Sequence, residues 1–137
     1  MISKGLAKYL HNLNLGVYSE TLAGATIACE YLPPTPDIIT MLRTYTGIAT
    51  DAKLGYDTYG VQVFVRGANA DPRPVEIRAM AAYNALHGIG NVTLPEGTEL
   101  INCYAMQPPF SLGVDANGRH GYAFNLSCEI RNATVRE

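Results

Sequence analysis

Charge is what this sequence has least of. Asp, Glu, Lys and Arg make up 16% of its 137 residues, against about 25% in an average soluble domain. The 10 basic residues form no run, so the chain lacks the concentrated basic patch that non-specific nucleic-acid binding needs. Against them stand 12 acids, a formal net charge of -2, and no acidic tract. Tryptophan is missing altogether, while tyrosine occurs 9 times. No stretch approaches the ~20 apolar residues that span a bilayer, and Met1-Ile2-Ser3-Lys4-Gly5-Leu6 holds no continuous apolar core of the kind a secretion signal uses. The expectation is a protein made in the cytosol, with no membrane partner. Without a secretion signal, the sequons at Asn91, Asn125 and Asn132 are chance matches. Cys29, Cys103 and Cys128 are odd in number and far apart, which argues against a disulfide framework and for small buried hydrophobes. No CxxC motif or Cys/His cluster exists to hold zinc.

The catalytic inventory is equally thin. His11, His87 and His120 stand alone, without a neighbouring nucleophile or carboxylate pair, and no phosphate-binding glycine loop occurs. Gly88-Ile89-Gly90 lacks the third glycine of a dinucleotide fingerprint and follows a helix where that motif follows a strand. Asp115-Ala116-Asn117-Gly118 departs from a calcium loop on spacing, because the loop position reserved for a bidentate Glu falls on Leu126. No catalytic residue, metal ligand or cofactor is assigned.

What is there is one domain's worth of alternating helix and strand signals, over residues 1–137. Ser3 is placed to cap a short helix over Lys4 to Leu13, whose Leu6, Tyr9, Leu10 and Leu13 recur at helical spacing. Ala25 to Tyr31 reads as a strand stopped by Pro33, Pro34 and Pro36, and Ile38 to Thr46 as the next. Gly47 to Gly60 is poor in apolar residues and reads as a long loop, the kind that carries function. Val61, Val63 and Val65 alternate with Gln62, Phe64 and Arg66 in the clearest period-2 segment. Val75 to His87 reads as the main helix, started by Pro72 and Pro74 and ended by Gly88 in a left-handed cap. Asn91 to Leu94 and Glu99 to Met106 form a hairpin about Pro95-Glu96-Gly97-Thr98, and Tyr122 to Arg131 is the last long strand after the Asn117-Gly118 turn. The predicted fold class is α+β, a mixed, mostly antiparallel sheet of about five to six strands flanked by two helices. A low-charge surface rich in tyrosine further suggests a chain that covers part of itself with its own copies.

The order of short motifs resembles the minor capsid and tail-terminator (tail completion) proteins of siphophages. The resemblance runs through the short first helix, Leu32-Pro33 with Pro36-Asp37, Gly55-Tyr56-Asp57, Val61 to Gly67, Tyr83-Asn84-Ala85-Leu86-His87-Gly88, and Leu112 to Arg119 leading to Asn125. It implies a structural virion protein and no enzyme: a ring, expected to be a hexamer, at the head-proximal end of the tail. Such a ring ends polymerisation of the tail tube, and its other face meets the head-completion or connector protein. It also implies assembly in the host cytoplasm, location at the head–tail junction, and phage DNA passing through the lumen without specific binding. The Gly47 to Gly60 loop is the first choice for the face that meets the tube, and Phe110 to Gly121 the second. Within and around them, Tyr45, Asp51, Tyr56, Asp57, Tyr59, Arg66, Phe110, Asp115, Arg119 and His120 are the expected protein-contact residues. Two alternatives stand beside this: a different head-completion or connector protein, and a small bacterial enzyme or ligand-binding domain, which would need a deep pocket with convergent polar groups.

Overall fold

The computed structural model describes residues 2–45, 55–68 and 71–131. Its elements follow in the order α1 (Ile2–Asn12), β1 (Ile27–Cys29), β2 (Ile39–Tyr45), β3 (Tyr56–Arg66), α2 (Arg73–Leu86), β4 (Gly90–Thr93), β5 (Glu99–Ala105), β6 (Phe110–Val114) and β7 (His120–Arg131). The expected α+β class is the observed one. One 7-stranded sheet runs β1-β2-β3-β7-β5-β4, with β6 paired to β7. Among these named strands β1 and β2 pair in parallel and the other pairs are antiparallel; Tyr18 adds a single parallel bridge to Ile27 on the outer side of β1.

Register decides the two faces. Val61, Val63 and Val65 on β3 stand opposite Leu126, Phe124 and Tyr122 on β7, and Leu42 on β2 stands opposite Val63. This face carries both helices and the main core. Ile2, Leu6 and Leu10 of α1 and Val75, Ala79, Ala82 and Leu86 of α2 pack on the valines, Phe124, Leu126 and Cys128. The i, i+4 spacing of those helical residues is what turns one stripe of each helix onto the sheet. The opposite face, called open below, has only a small buried cluster, Ala28, Ile39 and Met41 with Phe64 against it.

Several boundaries differ from the sequence expectation, each for a physical reason. Ser3 does not cap α1. It lies inside the helix, fully buried, and its hydroxyl donates to the Glu30 carboxylate at 2.9 Å. Strand β1 is short because Glu30 takes a left-handed φ of 66° directly after it. The loop expected to reach Gly60 ends earlier, at Tyr56, because the twelve-residue β7 pairs with β3 along its whole length, from Tyr56↔Arg131 to Arg66↔Gly121. Residues 47–54 of that loop, and Thr46, the expected end of the strand before it, lie outside the described residues.

Strand β6 is absent from the sequence reading. Since β3 occupies one edge of β7 throughout, β6 shares the other edge with β5: β5 pairs with Leu126 to Ile130, and β6 with His120 to Ala123. The two are one strand interrupted at Gln107-Pro108-Pro109, where proline cannot donate to a ladder. Helix α2 ends as expected on a left-handed Gly88, φ 90°. His87 then ties that end to the sheet: its Nδ1 accepts the Ala105 N–H at 2.8 Å and its ring stacks on Tyr83.

Candidate functional site

The side chains expected to make contacts do not form one site. They divide between the open face, the helix-side core and an internal clamp. Tyr45 closes β2 opposite Gly60, and a Cβ at Gly60 would fall inside the Tyr45 ring, so this glycine is what lets the ring lie flat on the strand. The Tyr45 hydroxyl reaches Met106 Sδ at 4.0 Å, and burial raises its phenol above the ordinary value. Tyr56, at the start of β3, is exposed and lies on the same face by the period of the strand. Beside them, Arg43 donates to Gln62 at 3.0 Å, and both line a shallow hollow of about 290 Å³ with Tyr45 and Asn125. Tyr104 and Met106 add exposed apolar surface to this face.

Tyr59 faces the other way, opposite Cys128, and packs half-buried on the main core. Asp57 is buried. Asp51 lies outside the described residues.

Arg66 is 3% exposed and works within the chain. Its Nε donates to the Asp37 carbonyl at 2.9 Å, and its Nη2 to the carbonyls of Pro36 at 2.7 Å and Pro33 at 2.9 Å. The Glu30 to Ile38 connection, which includes a cis Thr35–Pro36 bond, is thereby held at the open-face end of β3. Arg119 completes the clamp. Its Nη1 donates to the Pro34 carbonyl at 2.8 Å and the Asp37 carboxylate at 3.1 Å, and its Nε to Asp115 at 2.8 Å. Asp115 Oδ1 also accepts the backbone N–H groups of Asn117 and Arg119, and the Arg119 bonds hold its carboxyl below the ordinary range. The turn they stabilise is closed by Asp115 N–H to the Arg119 carbonyl, with Gly118 at φ 75°. This is the three-residue form of hairpin loop, Ala116-Asn117-Gly118, a type I turn closed by Gly118 N–H to the Asp115 carbonyl in which glycine supplies the left-handed position. His120, next in the chain, is half-buried, and its Nδ1 has no hydrogen-bond partner among the described residues. Arg66, Asp115 and Arg119 are thus engaged by their own chain, and little of Arg66 is open to a neighbour.

Phe110 is the one expected residue on the exposed strand β6, opposite Ala123. Its neighbours Leu112 and Val114 lie in the Phe110 to Gly121 region named as the second choice but were not among the expected contact residues, and they are exposed to a greater degree. The sequence reading passed over the apolar surface on the far side of the sheet. There Leu22, Gly24, Ala25, Thr26, Thr35 and Pro36 line a hollow of about 440 Å³ beside β1. A narrower cleft of about 290 Å³ runs between Leu15, Thr26, Thr40 and Arg78, whose guanidinium donates to the Arg66 carbonyl and is pulled below its ordinary value by burial. None of these hollows brings a nucleophile and a base together. His11, like His87, accepts a backbone N–H through Nδ1, here from Tyr18 at 3.0 Å. Among the described residues no group of His, Cys, Asp and Glu is arranged to hold a metal ion, and no helix is long and apolar enough to cross a membrane.

The family model described as "Bacteriophage tail terminator protein" matches residues 9–132. No curated protein sequence matches the chain. Among solved structures, a chain of the "Virion of native gene transfer agent (GTA) particle" superposes with a TM-score of 0.64 at 14% identity, covering 95% of this chain and 94% of that one. At that identity the likeness is one of fold.

Proposed function

Because the chain belongs to the bacteriophage tail terminator family, we propose that it closes the phage tail: copies join in a six-membered ring that caps the tail tube, ends its polymerisation and meets the head connector with the opposite face. The chain is a structural protein of the phage tail and a component of the virion. The observation that carries the proposal is the family match over residues 9–132, which takes in every strand of the sheet. The surface chemistry is consistent with it. Exposed side chains of large apolar residues gather on the open face, on β6 and beside β1, while the histidines His11 and His87 are engaged in holding backbone. That is the arrangement of an assembly part, and no catalysis is proposed. Each copy carries a formal charge of -2, so the ring as a whole is acidic and its lumen passes DNA without gripping it. The ring sits at the head–tail junction and assembles in the host cytoplasm.

The test is to add the purified chain to polymerising tail-tube subunits and image the products. Capped tubes of shortened mean length are expected, with extra density at one end only. Tubes that elongate at the same rate to the same length, without end density, would overturn the proposal.

A further inference from the structure

Among the described residues strand β6 pairs with β7 alone, and none of them covers its outer backbone edge. All five of its residues are exposed, Leu112 to 53% and Val114 to 56%. An uncovered apolar edge of this kind is a template for pairing, and monomeric proteins guard theirs with charge. Here the guard is missing: from Leu100 to Val114 the chain has no Asp, Glu, Lys or Arg. On the opposite edge of the same sheet lies the hollow beside β1, equally free of charge from Thr21 to Cys29 and from Tyr31 to Pro36. Leu22 at its rim has a left-handed φ of 65° and is 55% exposed, so a strained backbone displays an apolar side chain to solvent.

We propose that the β6 edge of one copy of the chain seats in the β1-side hollow of a second copy, against Leu22, Ala25 and Pro36; the outer edge of β1 itself is partly paired by Val17 and Tyr18. The inference rests on the ring reading above and names the surfaces that build the ring. A second copy is the occupant the surfaces favour, because each is uncharged and apolar and so complements the other better than it would a charged partner. They also lie on opposite edges, separated by the strands β2, β3 and β7. A contact between different surfaces is not saturated in a pair; it continues, closing into a ring where the rotation between neighbours allows and running on as a filament where it does not. Two interfaces of standard size, roughly 800 Å² per side, would cover about a fifth of the chain's 7255 Å² of surface.

The full chain carrying both Leu22→Cys and Leu112→Cys is oxidised with copper phenanthroline, in solution and on tail tubes, beside the wild-type chain and each single variant. A ladder of cross-linked species is expected from the double variant and none from either single variant. Dimers from Leu112→Cys alone would mean a two-fold contact and overturn the proposal. Rings seen by negative stain without a ladder would overturn it while leaving the ring standing; no ring under either condition would bring down both. As a second measurement, Leu112→Lys and Leu22→Lys should each raise the concentration for half-assembly at least about tenfold with an unchanged melting curve. Ile77→Lys, on the outer face of α2, should leave it unchanged. Equal effects from all three variants would count against a specific edge.

Discussion

Removing the Arg66 side chain should unfasten the proline-rich connection from the sheet. Arg66→Ala deletes donors to three carbonyls at 2.7 to 2.9 Å, those of Pro36, Pro33 and Asp37. A hydrogen bond from a charged donor contributes about 1.5–3 kcal/mol. Pro36 and Asp37 are exposed, so water replaces part of what is lost there, whereas the 3% exposed arginine leaves a cavity that collapses incompletely. The balance is a loss of about 3 kcal/mol, equivalent to roughly 10 °C in melting temperature for a chain of this size. Arg66→Lys keeps the charge but presents one nitrogen in place of the planar fork, and should recover less than half. The assay is urea denaturation of the monomer followed by tyrosine fluorescence, with the assembly state measured separately. A loss below about 1 kcal/mol, with assembly abolished, would show that Arg66 serves a neighbour and would refute its role as an internal clamp. Because Thr35 and Pro36 line the hollow beside β1, the destabilised variant should also assemble less well.

Other consequences follow from the core and the titrating groups. Phe124 is fully buried and meets Tyr83 edge-on at 5.7 Å, so Phe124→Ala should cost about 3–5 kcal/mol in the same urea assay, and Phe124→Leu much less. Burial pushes the Cys29 thiol up to about 11, and the hydrogen bond with the Cys103 sulfur, together with burial, raises that of Cys128. At pH 8 only about a thousandth of Cys29 is then thiolate, so Ellman's reagent should react slowly with the folded protein and fast with all three thiols in urea; a fast native thiol would contradict the structure. Asp71 is held at about 2 by Arg73, and Asp115 is lowered by Arg119. A depressed folded pKa stabilises above the ordinary carboxylate range and is lost as pH falls through the folded value. Both carboxyls should therefore titrate below pH 3.8 by NMR, and Asp115→Asn should flatten the acid limb of the stability profile.

What the sequence made legible was whatever repeats locally. The valine alternation of β3, the α2 stripe with its proline start and Gly88 stop, and the β4–β5 hairpin can each be read within a dozen residues, because one periodicity and one turn signal decide them. Strand β6 was hidden by Pro108-Pro109 before it and by the Gly113 register shift within it, which together erase the period of two. Tyr56 to Gly60 looked like loop because Asp57 and Gly60, both disfavoured in strands, interrupt Tyr56, Thr58 and Tyr59, and it is pairing with β7, distant in sequence, that carries the strand through them. Arg66 is the same lesson at the site. Nothing near it announces that a connection some thirty residues earlier will fold over it, so a buried clamp and an exposed contact residue look identical in sequence.

The shortage of charge acquires a location from these contacts. Arg66 and Arg78 donate to backbone carbonyls, Arg119 joins Asp115 and Asp37, Arg73 joins Asp71, and Lys4 and Lys8 share Glu20. Much of an already small set of charges is therefore engaged in fastening loops and helix ends, and less is left to solvate surface. The uncharged remainder is not spread evenly, since it includes the whole of Leu100 to Val114, the segment that supplies both the last residues of β5 and the open edge of β6. A monomer under selection to stay dispersed places Lys or Glu on such an edge. A chain that instead leaves its edge bare, and matches it with a bare hollow on the opposite edge, has the surface of a part that is covered when in use.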